Sequence, residues 1–360
     1  MLDKNKVIVP ERFAHHPIFN ELICGMNFGF LAKRGYYLQS EIQAQPAIIQ
    51  KVGVNWVTLN MSFCQSNFYS RKLFLDFEFS TGELELSEMV KNLHAHGIKV
   101  LFKPCLTPLD GAWMGNIDFP ECKQIQGLES TYWYEWFDSF IQAEKYFAEL
   151  AERIGMDAMI IGAEYYGTEG QDDAWRNVIK EIRNLYSGPI TYEFMPSSHQ
   201  RFKLSWFDEL DFLSYSYYPA ACPPNGTPPN ARTNSDYSVE QMKEYLSVQC
   251  SKIEEVCKKF GNKPIAFTEY GVRSAHGCIM RPYDYLWDTY YDGEEQANYM
   301  EASFQTFWDI PQWMGFFWWK WDETQNRPHY YGDPGGNKGF TVQGKPAEKV
   351  LKHWVAKNKK

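Results

Sequence analysis

The chain has 360 residues, 44% of them hydrophobic and 22% charged, which excludes a disordered protein and supplies ample material for a core. A net charge of -9 and a pI near 5.5 argue against a nucleic-acid partner, because phosphate binding requires clustered Lys and Arg. No stretch approaches the roughly eighteen uninterrupted apolar residues of a transmembrane helix, so no membrane partner is expected.

The opening segment MLDKNKVIVPERFAHHP lacks the apolar region of a signal peptide, so a cytoplasmic protein is expected, or a secreted one if a leader has been removed. Residues 1–20 read as a lead-in to one domain that fills 1–360. A first strand is expected in LICGMNFGF from Leu22. A helix over Glu41–Lys51 leads to a second strand, VNWVTLNM from Val54, and a helix over Leu86–His96 leads to a third, IKVLFKPCL from Ile98. The segment Tyr134–Arg153 carries Trp136, Phe140, Tyr146, Phe147 and Leu150 at helical spacing and precedes a fourth strand, AMIIGAE from Ala158. A helix over Asp172–Tyr186 precedes the fifth and sixth strands, PITYEF from Pro189 and DFLSYSYY from Asp211. A helix over Val239–Lys259 precedes the seventh, PIAFTEYG from Pro264, and one over Glu294–Asp309 precedes the eighth, GFFWWKW from Gly315.

Strand and helix alternating in this way predict an α/β fold, a (β/α)8 TIM barrel. Gly53, Gly97, Gly155, Gly188 and Gly261 stand where helices hand over to strands, as left-handed C-caps would. The proline-rich segment YYPAACPPNGTPPNART after the sixth strand is long for a βα loop, and long loops at that end of a barrel build sites.

Barrel active sites lie at the C-terminal ends of the strands. Those ends deliver Asn60, Cys105, Glu164, Glu193, Tyr217, Glu269, and Trp319 with Trp321. Glu164 and Glu269 leave apolar strands, and an ionised side chain there must reach a polar mouth to stay solvated. Two carboxylates ringed by aromatics suit glycoside hydrolysis, one protonating the leaving oxygen and the other attacking the anomeric carbon. Aromatic content of 17% fits, since sugar faces present C–H patches that stack on rings. Alternation sets Phe317, Trp319 and Trp321 on the inner face and Phe316, Trp318 and Lys320 on the outer. Trp113, in the loop after the third strand, reads as a sugar platform.

The motifs HGIKVLFKP with LDGAWMGNIDF, IGAEYYGTE, YSGPITY, FTEYGVRS, and FFWWKW with GKPAEKVLKHW resemble glycoside hydrolase family 113, endo-β-mannanases of the large retaining (β/α)8 clan. The resemblance runs from about Gly25 to the C-terminal helix. It implies that Glu164 is the general acid/base and Glu269 the nucleophile. It also implies a tyrosine in contact with the nucleophile, which alternation places at Tyr217, with Tyr218 the other candidate. Asn60, Glu193, Trp113, Trp319, Trp321 and Tyr218 are the expected substrate contacts. The sequence departs from the family at Ala163, where the clan commonly carries an Asn that can bond the sugar 2-hydroxyl, and at Cys105, where the family tends to have His.

Retention requires the two carboxyl groups to lie about 5 to 5.5 Å apart. The substrate class this implies is β-1,4-mannan or manno-oligosaccharide. Rival readings are an exo-acting β-glycosidase on other short oligosaccharides and a non-catalytic carbohydrate-binding barrel.

Glu169, five residues past the fourth strand end, reads as a loop brace or the opening of the next helix. His94 and His96 form an HxH pair, yet they fall at a helix end on the opposite face of the barrel, so no metal is assigned. GDPGGNKG lacks the order of a phosphate-binding loop, and no cofactor is expected. The eight cysteines show no CxxC pair or metal-ligand spacing and read as free thiols.

Overall fold

The computed structural model describes residues 18–120, 131–223, 237–286, 289–322 and 338–358. Residues 224–236 of the proline-rich segment, His15, His16, Cys122, Glu323 and most of GDPGGNKG lie outside them.

Among the described residues nine strands share one sheet: β1 (Ile23–Phe28), β2 (Trp56–Gln65), β3 (Leu73–Phe74), β4 (Lys99–Pro108), β5 (Ala158–Ala163), β6 (Ile190–Phe194), β7 (Leu213–Ser216), β8 (Ile265–Tyr270) and β9 (Trp313–Trp318). Their order is β1-β9-β8-β7-β6-β5-β4-β2-β3 and β1 also pairs with β2, so eight parallel strands close into a (β/α)8 barrel. The ninth, β3, is a short antiparallel addition to the end of β2. β1, β2, β5, β6, β7 and β9 are buried along their whole length, as parallel strands covered on both faces must be.

Contacts group the elements into two compact units. One holds Gly29–Pro46 and Thr58–Ser216, and the other holds the N-terminal segment to Phe28, Ala47–Val57 and everything from Tyr217. In the first, the helix Tyr132–Ile154 buries Trp133, Trp136, Phe137, Phe140, Phe147, Leu150 and Ala151, the i, i+3, i+4 stripe that its sequence spells. Trp136 stacks on Phe140 at 4.9 Å, Phe140 meets Trp175 at 5.4 Å, and Trp175 stacks on Trp206 at 4.8 Å. This layer between barrel and helices absorbs much of the aromatic surplus that composition alone attributes to sugar binding.

The helix ends at Gly155, φ 76, whose N–H bonds back to Ala151 O. Gly53, Gly97 and Gly261 share that positive φ, whereas Gly188 does not. A Cβ at Gly188 would sit 2.3 Å from the Tyr186 hydroxyl, so this glycine is explained by a close approach and not by a left-handed cap.

In the second unit, the helix Gly293–Phe307 lays Phe304 against Phe316 at 4.7 Å and against Trp354 of the C-terminal helix Pro346–Asn358 at 4.9 Å. The expected helices over Glu41–Lys51 and Val239–Lys259 are each broken in two, at Ala44 and near Val248. His94 closes its helix by bonding Asp157 Oδ2 at 2.8 Å. Seven described cysteines are free. Among the described residues no helix is long and apolar enough to cross a membrane.

Candidate active site

β5 is apolar to its end, and then the backbone turns abruptly. Its register with β6 shifts between Ile160 and Ala163, and Glu164 follows in the left-handed region at φ 58. A residue with a side chain there costs of order 1 kcal/mol or more and persists only where its surroundings fix it. Here the Glu164 N–H donates to Glu193 O at 2.9 Å, and the Tyr166 N–H donates to Glu164 O at 2.8 Å. The half-buried carboxylate accepts a bond from Trp113 Nε1 at 3.1 Å.

Trp113 is 39% exposed, stacks on Tyr166 at 6.5 Å between centroids, and lies so close over Gly115 that a Cβ there would be 2.3 Å from the ring. The indole expected as a sugar platform thus also bonds the Glu164 carboxylate through its polar edge. The Arg201 guanidinium lies over the far neighbour, 4.7 Å from the Tyr166 ring centre.

Three expected contacts stand elsewhere than sequence placed them. Glu193 is fully buried and accepts from Lys103 Nζ at 2.6 Å, so its carboxylate is held by a buried ion pair and offers no surface to substrate. Asn60 is buried as well, its Oδ1 accepting from Cys105 Sγ at 3.3 Å and its Nδ2 donating to Thr58 O at 3.2 Å. The third is Tyr217. Its ring points into the outer layer against Phe267 at 4.9 Å and Phe307 at 6.4 Å, while the Tyr218 hydroxyl donates to Glu269 Oε2 at 3.0 Å. The cause is that β7 ends at Ser216, so alternation no longer governs the two residues beyond it.

Glu269 itself lies near the end of β8, half-buried. Asn27, a residue that sequence reasoning passed over, ties this end together. Its Nδ2 donates to Thr268 O at 2.8 Å and to Phe317 O at 3.3 Å, and its own O accepts from Trp321 N at 2.8 Å. A lone amide in the otherwise apolar run ICGMNF was the available signal.

Phe316 and Trp318 face the helical layer and Phe317 faces Trp56, as alternation requires. Trp319 and Trp321 follow the end of β9 and are largely buried, with a cis peptide joining Trp319 to Lys320.

Glu169 is the group whose position sequence most understated. It is 1% exposed, accepts from the Tyr192 hydroxyl at 2.9 Å, and its backbone O accepts from Trp206 Nε1 at 3.1 Å. Burial pushes its carboxyl up to about 7; the Ser198 and Tyr192 hydroxyls and Arg201 pull the other way, and the Glu164 charge adds to the rise.

Among the described residues, His276, Asp292 and Glu295 lie close enough together to hold a metal ion. Their atoms are engaged with one another and the backbone. His276 Nδ1 meets Asp292 Oδ2 at 3.0 Å, Asp292 Oδ1 caps Glu295 N at 2.9 Å, and Glu295 accepts from Gly277 N at 3.0 Å. The cluster reads as a clip on the loop after β8.

Glycoside hydrolase family 113 matches the chain over residues 26–345. Among solved structures, a family 113 β-1,4-mannanase is 25% identical, with a TM-score of 0.76 over 93% of this chain and 99% of its own. A family 113 β-mannanase from Alicyclobacillus acidocaldarius, in complex with ManMIm, is 26% identical, with a TM-score of 0.75 over 93% of this chain and 97% of its own. A Ruminococcus gnavus β-glucuronidase, 15% identical with a TM-score of 0.58 over 93% of this chain and 50% of its own, shares the fold alone. No curated protein matches the chain.

Proposed function

Because the chain belongs to glycoside hydrolase family 113 and is therefore a glycoside hydrolase, we propose that it cleaves β-1,4-mannan or manno-oligosaccharides with Glu164 as acid/base and Glu269 as nucleophile. What carries the reading is the standing of these two carboxylates at the C-terminal ends of β5 and β8, in a chain that matches β-1,4-mannanases along almost its whole length.

Glu164 donates its proton to the glycosidic oxygen while Glu269 attacks the anomeric carbon, so the C–O bond breaks and a glycosyl ester forms. The leaving saccharide departs with the proton. Water then attacks the same carbon, Glu164 takes its proton, and Glu269 leaves as carboxylate, with net retention. Tyr218 holds Glu269 Oε2 during attack, and Trp113 holds Glu164 Oε2 through its indole N–H.

Ala163 supplies no amide to the sugar 2-hydroxyl, and the Cys105 thiol stands where the family tends to place an imidazole. Recognition at that part of the ring falls to other groups.

The test is product analysis on β-mannan and on manno-, gluco-, galacto- and xylo-oligosaccharides, with the anomer followed by NMR. Release of β-configured manno-oligosaccharides supports the reading. Turnover confined to another sugar, or first-formed α-anomer, overturns it.

A further inference from the structure

Past the acid/base, the rim after β5 and β6 carries a cation that the proposed chemistry leaves unused. Arg201 ends the short helix Ser198–Arg201, and its guanidinium carbon stands 4.7 Å from the centre of the Tyr166 ring and 4.7 Å from that of Phe202. Those two rings meet edge to face at 5.7 Å. Arg201 is exposed, yet its side chain forms no hydrogen bond or ion pair with a described residue, and its charge acts on the buried Glu169 only through space. Ordering so long a side chain costs entropy, which the two ring faces offset while the N–H donors stay unspent.

Close contacts fix this seat relative to the acid/base. A Cβ at Gly167 would be 2.1 Å from Ile117 O, so only glycine lets the loop after β4 lie against the turn Tyr166–Thr168. A Cβ at Gly170 would come within 3.0 Å of the Phe202 ring. Trp113, on the loop after β4, stacks on Tyr166 and bonds Glu164 Oε2 at 3.1 Å. A continuous path of contacts therefore leads from the Glu164 carboxylate through Trp113 and Tyr166 to Arg201 and Phe202, all within one compact unit. Trp113 and Arg201 are the exposed members of that path.

The proton of Glu164 goes to the glycosidic oxygen, which leaves with the departing saccharide, while the ring under attack is held by the nucleophile. The departing saccharide is thus the part of the substrate that meets the groups around the acid. We propose that Arg201, clamped between Tyr166 and Phe202, binds the departing saccharide by donating to its hydroxyl oxygens, with the Trp113 ring as the platform nearer the bond. The inference rests on the assignment of Glu164 as acid/base. It extends to the second step, in which an acceptor sugar bound there attacks the glycosyl ester through one hydroxyl. Glu164 then takes that hydroxyl proton, a new glycosidic bond forms, and Glu269 leaves as carboxylate. Arg201 therefore favours transfer to sugar over transfer to water.

The experiment compares kcat/KM on mannotetraose with that on 2,4-dinitrophenyl β-mannobioside, whose leaving group carries no sugar, for the wild type, Arg201→Ala, Arg201→Lys and Glu164→Gln. Arg201→Ala is expected to lose roughly 10- to 100-fold on mannotetraose and at least about fivefold less than that on the aryl glycoside. Arg201→Lys keeps the charge and loses the planar fork, so its loss on mannotetraose should be intermediate. With mannobiose added as acceptor, Arg201→Ala should also give a lower ratio of transfer to hydrolysis. Equal losses on the two substrates, or no loss on mannotetraose, overturn the role of Arg201; a merely structural role would lower Tm and both rates together. Glu164→Gln that is inactive on mannotetraose yet competent in its first step on the aryl glycoside upholds the assignment beneath the inference, and full activity on mannotetraose overturns that assignment whatever Arg201 does. If the wild type turns over cellotetraose instead, the mannan reading fails, and the same comparison on the gluco-configured pair decides the role of Arg201.

Discussion

Glu269 and Glu164 occupy equivalent places, each at the end of an apolar parallel strand, yet the protein holds them differently. Glu269 sits within its strand, braced by Asn27 bonds to Thr268 O and Phe317 O, and its carboxylate receives a phenol O–H. Glu164 stands after a register shift, in a left-handed backbone conformation, and receives an indole N–H. The contrast fits the tasks proposed for them. A nucleophile needs one charge state and one direction, which a regular strand and a single strong donor supply. An acid/base must hold a proton, lose it and regain it, which calls for surroundings that do not favour either state strongly.

The comparison is broken most directly by deleting either carboxylate. Glu269→Gln and Glu164→Gln are each expected to lower kcat by about 10²- to 10⁴-fold or more on unactivated substrate. They should part company on an activated aryl glycoside. Glu164→Gln then recovers its first step, because the leaving group needs no proton, and Glu269→Gln does not. Stopped-flow and steady-state assays check this, and equal losses on both substrates would remove the distinction.

Next comes the buried support of the Glu164 side. Lys103→Met strands the Glu193 carboxylate in the interior and is expected to cost about 3–5 kcal/mol of stability, measured by urea unfolding. A loss under 1 kcal/mol would mean that water reaches the pair.

Smaller effects separate the two donors. Tyr218→Phe removes a bond to an ionised group, worth about 1.5–3 kcal/mol, so kcat/KM should fall roughly 10- to 150-fold, whereas Tyr217→Phe should act mainly on stability. The reverse pattern in the two assays would restore Tyr217 as the contact. Trp113→Phe keeps an aromatic face and loses only the N–H, and a fall in kcat/KM of about threefold to tenfold is expected.

The barrel was legible in the sequence because its signals are local. Each strand is a short apolar run, and Gly53, Gly97, Gly155 and Gly261 mark the joints with positive φ. The positions of Glu164 and Glu269 at strand ends were legible for the same reason, since a charge ending an apolar strand is visible in one dimension.

What lay beyond reading depends on the chain after a strand ends. Tyr217 and Tyr218 exchanged roles because β7 stops at Ser216, and from there the loop decides the direction of each side chain. Glu193 was taken for a mouth residue because nothing in the sequence pairs it with Lys103, 90 positions earlier. Glu169 was read as a loop brace because its burial is produced by Tyr192, Ser198 and Trp206, all more than twenty residues downstream.

The central claim is that Glu269 forms a covalent bond to the sugar while Glu164 moves the proton. Incubation with a 2-deoxy-2-fluoromannosyl fluoride, followed by intact mass measurement and peptide mapping, tests it in one step. The account predicts a single added fluoromannosyl group on the peptide containing Glu269 of FTEYG, released on transfer to an acceptor sugar. A stable adduct on any other residue would contradict it, as would unimpaired first-step labelling in Glu269→Gln.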